Sequence, residues 1–295
     1  MFEKIQADKR ISIKATLSMS LRSLSSTVTE ISTALLKSLI QGPLLIKKLP
    51  EASPFPQQDL VLPEEISPLK LEQKLGHLYE DALAQLLNSS PRYDLLAQNL
   101  QIQKDQHHTV GELDFLLRDL EKQRLIHLEL ATKFYLAVPS EKGLALPGPD
   151  ARDNYFKKLA RLRTHQLQLP SLFKEQLPPE FCHENIKTQH LIYGCLFDHI
   201  STQTPSLPEH LNPNCRRGKW LRINEVPTHF STRTKFHLIP KPLWPVPLDL
   251  LQNHKLDLWH PKEALERCTM VRIIGEQSTY FITPENYPSK ESVSP

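Results

Sequence analysis

Val110-Gly111-Glu112-Leu113-Asp114-Phe115-Leu116-Leu117-Arg118 and, after a polar turn at Asp119 to Gln123, Leu125-Ile126-His127-Leu128-Glu129-Leu130-Ala131-Thr132-Lys133-Phe134-Tyr135 decide how this chain is read. Both stretches are rich in apolar types that suit a pleated surface, and side chains on a strand point alternately to its two faces. Glu112, Asp114, Leu116 and Arg118 therefore share one face of the first strand, with Leu113, Phe115 and Leu117 opposite. On the second, Glu129, Ala131, Lys133 and Tyr135 share a face, with Leu128, Leu130, Thr132 and Phe134 opposite. If the two strands are neighbours, two carboxylates and an ammonium converge.

Working outward, apolar residues at helical spacing predict a helix from Leu69 to Leu87, ended by Asn88-Ser89-Ser90-Pro91. Tyr93 to Gln103 reads as a strand, joined to the next by the polar turn Asp105-Gln106-His107-His108. Gly143 to Pro149 reads as a loop, and Ala151 to Gln168 as a helix. His190 to Asp198 is apolar on both faces, the pattern of an internal strand. Residues 31–47 hold a docking helix that stops at Gly42-Pro43, and Pro50, Pro54, Pro56 and Pro63 mark an extended linker. The organisation expected is an N-terminal extension at 1–30, docking helix and linker at 31–68, and a core at 69–200. A C-terminal appendage packed on the core follows at 201–295, with a hairpin of Met270 to Ile274 and Thr279 to Thr283 around Gly275. The fold class is α/β (α+β), a mixed central sheet flanked by helices.

Composition narrows the functional classes. With 295 residues, 39% hydrophobic and 23% charged, the chain is an ordinary globular one. A net charge of +3 does not by itself imply a polyanion partner. Cys182, Cys195, Cys215 and Cys268 form no C-x-x-C pair, so reduced thiols are expected rather than a zinc ribbon. No apolar run approaches the ~20 residues of a membrane helix and no secretory signal pattern opens the chain, so a cytoplasmic protein without a membrane partner is expected.

Two acidic side chains held together on adjacent strands repel and lose hydration, and a divalent cation between them relieves both costs. Mg2+, or Mn2+ in its place, suits two carboxylates, water and phosphate oxygens. Such an ion polarises a phosphate and acidifies water. Asp114 and Glu129 are the candidate metal ligands. Lys133 would neutralise charge on the reacting phosphate, and Glu80, on the preceding helix, would hold a metal-bound water. Gly76, one turn before Glu80, would let that helix approach the sheet. The alternative is a half-exposed sheet on which Asp114 and Glu129 pair with Arg118 and Lys133 across strands.

The order Gly76-x-x-x-Glu80, Gly111-Glu112-Leu113-Asp114-Phe115-Leu116-Leu117, His127-Leu128-Glu129-Leu130-Ala131-Thr132-Lys133 resembles the PD-(D/E)XK nuclease superfamily over about residues 69–200. More closely, the chain is similar to a bacterial domain of unknown function, the 1853 family, assigned to that superfamily. Gly148-Pro149-Asp150, Lys158-Leu159 and His165-Gln166-Leu167 also have counterparts there. The resemblance implies a restriction-endonuclease-like core, Asp114 and Glu129 as metal ligands, Glu80 as an auxiliary acid and Lys133 as the catalytic lysine. It implies Mg2+-dependent hydrolysis of phosphodiester bonds, with DNA as the expected substrate, or else an inactive nuclease fold that binds nucleic acid or acts as a scaffold. One position departs from the pattern. The usual lysine lies two residues after the second acid, where this chain has Ala131; Lys133 keeps the face but stands about 6.6 Å further along the strand.

Two basic clusters complete the candidates: Lys157, Lys158 and Arg161 on the helix 151–168, and Arg216, Arg217 and Lys219 beside Trp220. Either could track a phosphate backbone. Their ordinary readings are a solvated helix face and a packed tryptophan.

Overall fold

The computed structural model describes residues 27–105, 108–140, 143–202, 206–252, 254–261 and 265–288. The expectation for the extension at 1–30 thus lies outside the described residues as far as 26, as do Gln106 and His107 of the polar turn.

Strand β7 (Ile186–His199) is the spine of the molecule. Its doubly apolar run separates as alternation requires. Leu191, Tyr193, Cys195 and Phe197 enter the main core on one face, and Ile192 and Leu196 enter a second core on the other. On one side β7 pairs in parallel with β4 (Arg124–Leu136), from Leu125↔Ile186 to Leu136↔Phe197. On its other side lie β8 (Arg216–Arg222), the short β1 (Ser53–Pro54) and a bridge between Leu44 and Tyr193. The Pro-rich linker is therefore built into the sheet, with Ala52, Phe55 and Leu60 buried.

β4 continues through an antiparallel meander into β3 (His108–Asp119) and β2 (Tyr93–Asp105). The β3–β4 register runs from Asp119↔Arg124 to Phe115↔Leu128 and stops there, whereas β2 and β3 stay paired to Asp105↔His108. Register shifts between Ile102 and Gln103 and again before Asp105 add twist, and the β2–β3 hairpin leaves β4. Leu113 leaves with it. Expected beside Phe115 and Leu117, it packs instead with Ile102, Leu169 and Leu177, while Phe115 and Leu117 stay in the main core.

The main core is covered by α1 (27–41) and by α2 (Leu75–Asn88), which buries Leu78, Tyr79, Ala82, Leu83, Leu86 and Leu87. α2 begins six residues later than the spacing predicts, because the chain turns at Leu71 and Glu72 before entering it. The opposite face carries α3 (Tyr155–Thr164) and α4 (Leu169–Leu172). α3 is shorter than the predicted helix, since Asn154 caps its start by accepting from Phe156 and Lys157.

Part of the expected 143–149 loop forms a hairpin of β5 (Val138–Ser140) and β6 (Gly143–Ala145), which buries Val138 and Ala145. The described strands after residue 206, within the expected appendage at 201–295, continue the same sheet. β8 pairs in parallel with β12 (Thr279–Thr283), which forms the expected hairpin with β11 (Thr269–Ile273). β9 (Phe236–Leu238) and β10 (Leu258–Trp259) follow, and α5 (Val226–His229) is a single turn. The result is a ten-stranded mixed sheet flanked by helices. Among the described residues no helix is long and apolar enough to cross a membrane.

Candidate active site at the β3–β4 fork

Asp114 and Glu129 stand where β3 and β4 part. Had the ladder gone one step beyond Phe115↔Leu128, they would be partners. Instead Asp114 Oδ2 accepts the backbone N–H of Leu130 at 2.8 Å, so a side chain takes over a bond the departing strand would have supplied. Glu129 is 6% exposed, and its Oε2 is buried without a hydrogen-bond partner.

Both carboxyls are pushed above the usual carboxylate range. For Asp114 burial is the main cause and the charge of Glu129 the next; the Leu130 N–H opposes them. For Glu129 burial again dominates, with the Gln166 side chain and Lys133 pulling the other way. Glu80 raises both. The surface-pair alternative does not describe this geometry: Arg118 bonds Glu184 at 3.4 Å and Lys133 bonds Asp153 at 3.5 Å.

Glu80 is held on α2 by Asn99 Nδ2 at 3.1 Å and His77 Nδ1 at 3.2 Å. Gly76 does not serve the close approach expected of it. A Cβ there would meet only Glu80 Oε1, at 3.7 Å, and the residue lines the open cleft. A different glycine sets the geometry near Lys133. Gly194 on β7 has φ +150°, and a Cβ would stand 1.6 Å from the Lys133 carbonyl oxygen.

Two histidines that sequence reasoning passed over flank Glu129. His127, on the same strand face, is fully buried with Nε2 at 3.7 Å from Glu129 Oε2; His190 stands opposite Glu129 in the β4–β7 register and is also fully buried. Burial pushes both imidazoles down to about 4, so both are neutral near pH 7. The available signal was a histidine two residues before the acid, alone in an apolar run.

The fork opens into a cleft of about 1250 Å3. Its floor is residues 129–135 of β4, which lack a strand partner on this side among the described residues. Asp150 to Asp153, the exposed Lys158 and Arg161, and Lys241, Trp244, Arg267 and Tyr287 also line the cleft, with Tyr287 Oη donating to the Gly148 carbonyl at 2.9 Å. Lys157 is exposed on α3 but does not line the cleft. Arg216, Arg217 and Lys219 are also absent from it. Arg216 Nη1 donates to the carbonyls of Trp244 and Pro245, Arg217 pairs with Asp198 at 2.6 Å, and Lys219 is half-buried on β8. Trp220 is packed in the core and donates to the Ala137 carbonyl, so it offers no stacking surface.

The donors at the fork are the carboxylate oxygens of Asp114 and Glu129, with the unpartnered imidazole nitrogens of His127 and His190 beside Glu129. Among the described residues no three or more His, Cys, Asp or Glu side chains are grouped to hold a metal, and the four cysteines are free. Two carboxylates fit an ion such as Mg2+ that retains water, and fit poorly the closed nitrogen and sulfur sets of zinc. The buried, unpartnered Glu129 oxygen is the atom such an ion would satisfy.

A family model described as a domain of unknown function (DUF1853) matches residues 36–272. No curated protein and no solved structure matches the chain.

Proposed function

The chain belongs to this DUF1853 family, and on that premise we propose that it is a metal-dependent phosphodiesterase of the PD-(D/E)XK type that hydrolyses nucleic acid, with DNA as the expected substrate. The observation that carries the reading is the pair at the fork, half-buried Asp114 and buried Glu129, with both carboxyls raised by burial and by Glu80, and Asp114 also by the charge of Glu129. Asp114 and Glu129 would hold Mg2+ or Mn2+, which when bound polarises a phosphate and acidifies a water.

The rest falls to the chain's own groups. Lys133, partly exposed on the cleft floor, neutralises charge gathering on the phosphate. Glu80 orients water from the helix side. The neutral His127 and His190 add no positive charge beside Glu129, which leaves its carboxylate to the ion. Lys158 and Arg161, which line the cleft, draw the flanking phosphates along it. Incubating the purified protein with a panel of DNA and RNA substrates plus Mg2+ or Mn2+ tests the reading. Cleavage that persists unchanged in Asp114→Ala and Glu129→Ala places the site elsewhere.

One observation favours a second reading, a nuclease-like fold that binds nucleic acid or serves as a scaffold without cutting. Lys133 stands two residues beyond the position held by Ala131, and its ammonium is engaged by Asp153. Calorimetry showing no metal binding, together with salt-sensitive DNA binding, selects this reading.

A further inference from the structure

A second cleft, of about 670 Å3, opens beside β8, β11 and β12 and shares no lining residue with the first. Arg272 on β11 pairs with Thr279 on β12. The β12–β8 register puts Tyr280 opposite Lys219, so Thr279 lies level with Gly218, two residues from Arg216. Arg216, Thr279 and Arg272 consequently project from one face of three adjacent strands. At Gly218 a Cβ would stand 2.4 Å from the Phe197 ring, so that ring packs over residue 218, which contributes no side chain of its own between the arginines.

Their charges are not matched by acids. Arg272 is 9% exposed, its Nη1 donates to the Leu251 carbonyl at 3.2 Å, and its Nε is buried without a partner. Arg216 donates to the carbonyls of Trp244 and Pro245. Carbonyls aim a guanidinium without neutralising it. Among the described residues no carboxylate forms an ion pair with either arginine, whereas neighbouring Arg217 is matched by Asp198. Burial accordingly disfavours the charge on Arg272.

A buried guanidinium without a counter-ion is costly, and a bound anion removes that cost. Planar guanidinium forks suit the oxygens of phosphate. The volume exceeds that of a single oxyanion and lies within the range of small-molecule sites. Asp249, Gln252, Glu276 and Gln277 also line the cleft. Glu276 accepts from the Tyr280 hydroxyl, and the side-chain oxygens and amides of this rim can bond sugar or base groups.

We propose that this cleft is a binding site for a compact phosphate, either free or as a phosphomonoester of up to mononucleotide size, gripped by Arg216 and Arg272. The site is independent of the nuclease reading.

Calorimetric titration of the full chain with inorganic phosphate and with adenosine monophosphate, in chloride buffer at fixed ionic strength, tests it. A saturable site and a raised Tm are expected, with Arg272→Met weakening binding roughly tenfold or more and Arg272→Lys weakening it less. Tighter binding of the nucleotide identifies the ester as the ligand; equal or tighter binding of phosphate identifies the free ion. Arg272→Met is also expected to raise Tm in chloride alone, because it removes a buried unmatched charge. Asp114→Asn should bind both probes as the unsubstituted protein does, which keeps failure here distinct from failure at the fork. Absence of binding to both probes, or binding unchanged in both Arg272→Met and Arg272→Lys, overturns the proposal.

Discussion

The two clefts differ in the sign of the charge each leaves unmatched. At the fork, half-buried Asp114 stands beside buried Glu129, and the lysine that acts on Glu129, Lys133, is engaged by Asp153. Across the sheet, Arg216 and Arg272 are aimed by carbonyls. Elsewhere the chain matches its charges closely: Arg163 with Glu51 at 2.8 Å, Arg217 with Asp198 at 2.6 Å, Arg92 with Asp119 at 3.2 Å. Matched pairs can be explained by the fold alone. Unmatched buried charge lowers stability, so its presence in two separate clefts points to ligands of opposite sign.

The comparison can be broken most forcefully at the fork. Asp114→Ala and Glu129→Ala are each expected to lower metal-dependent cleavage on the order of a thousandfold, with Lys133→Ala lowering it about a hundredfold. Cleavage rates at saturating Mg2+ check this, and a Lys133→Ala enzyme as active as the parent would assign the lysine to packing. Next in size is a matched pair used as a control. Arg217→Ala should cost about 3 kcal/mol in denaturant unfolding, towards the low end for a buried pair because Arg217 is partly solvated.

A smaller effect depends on pH. A carboxyl raised on folding holds extra protons in the folded state, so stability falls as pH climbs from the ordinary carboxylate value through the raised one. In the presence of chelator, Asp114→Asn should therefore be more stable than the parent by on the order of 1–2 kcal/mol at pH 8, the advantage fading towards pH 4. The histidines act oppositely. His127 and His190, pushed down to about 4, make both proteins lose stability as pH falls from the ordinary imidazole value towards 4, so the difference between the two proteins reports Asp114 together with Glu129 and His127, whose charges act on it. An unchanged difference from pH 4 to 8 would contradict a raised carboxyl at Asp114. Smallest of all, Arg161→Ala should lower the salt dependence of DNA binding by roughly one unit of slope, while Lys157→Ala, outside the cleft, changes it little.

Legibility in the sequence followed the range of the interactions. Alternation over Val110 to Tyr135 was enough to bring out β3, β4 and their acids, and the doubly apolar run at His190 to Asp198 was enough to mark β7 as internal. The fork itself depends on a register that ends between Asp114 and Glu129, and nothing local records where a ladder stops. His127 and His190 meet Glu129 only through strand pairing. β8 was hidden because Arg216-Arg217-Gly218-Lys219 reads as a basic surface patch. Its arginines are engaged by Asp198 and by carbonyls at 244 and 245, partners too distant in sequence to anticipate. For the same reason the last ninety residues read as an appendage, while their strands extend the central sheet.

The most direct test of the fork as a cation site is calorimetric titration of the full chain with Mn2+ at pH 7.5 in buffers of different ionisation enthalpy. One saturable site is expected, with proton release on binding because the raised carboxyls must ionise to take the ion, and with affinity roughly tenfold or more weaker in Asp114→Asn. Binding without proton release, or binding of equal strength in Asp114→Asn, would contradict the assignment of Asp114 and Glu129 as a cation site.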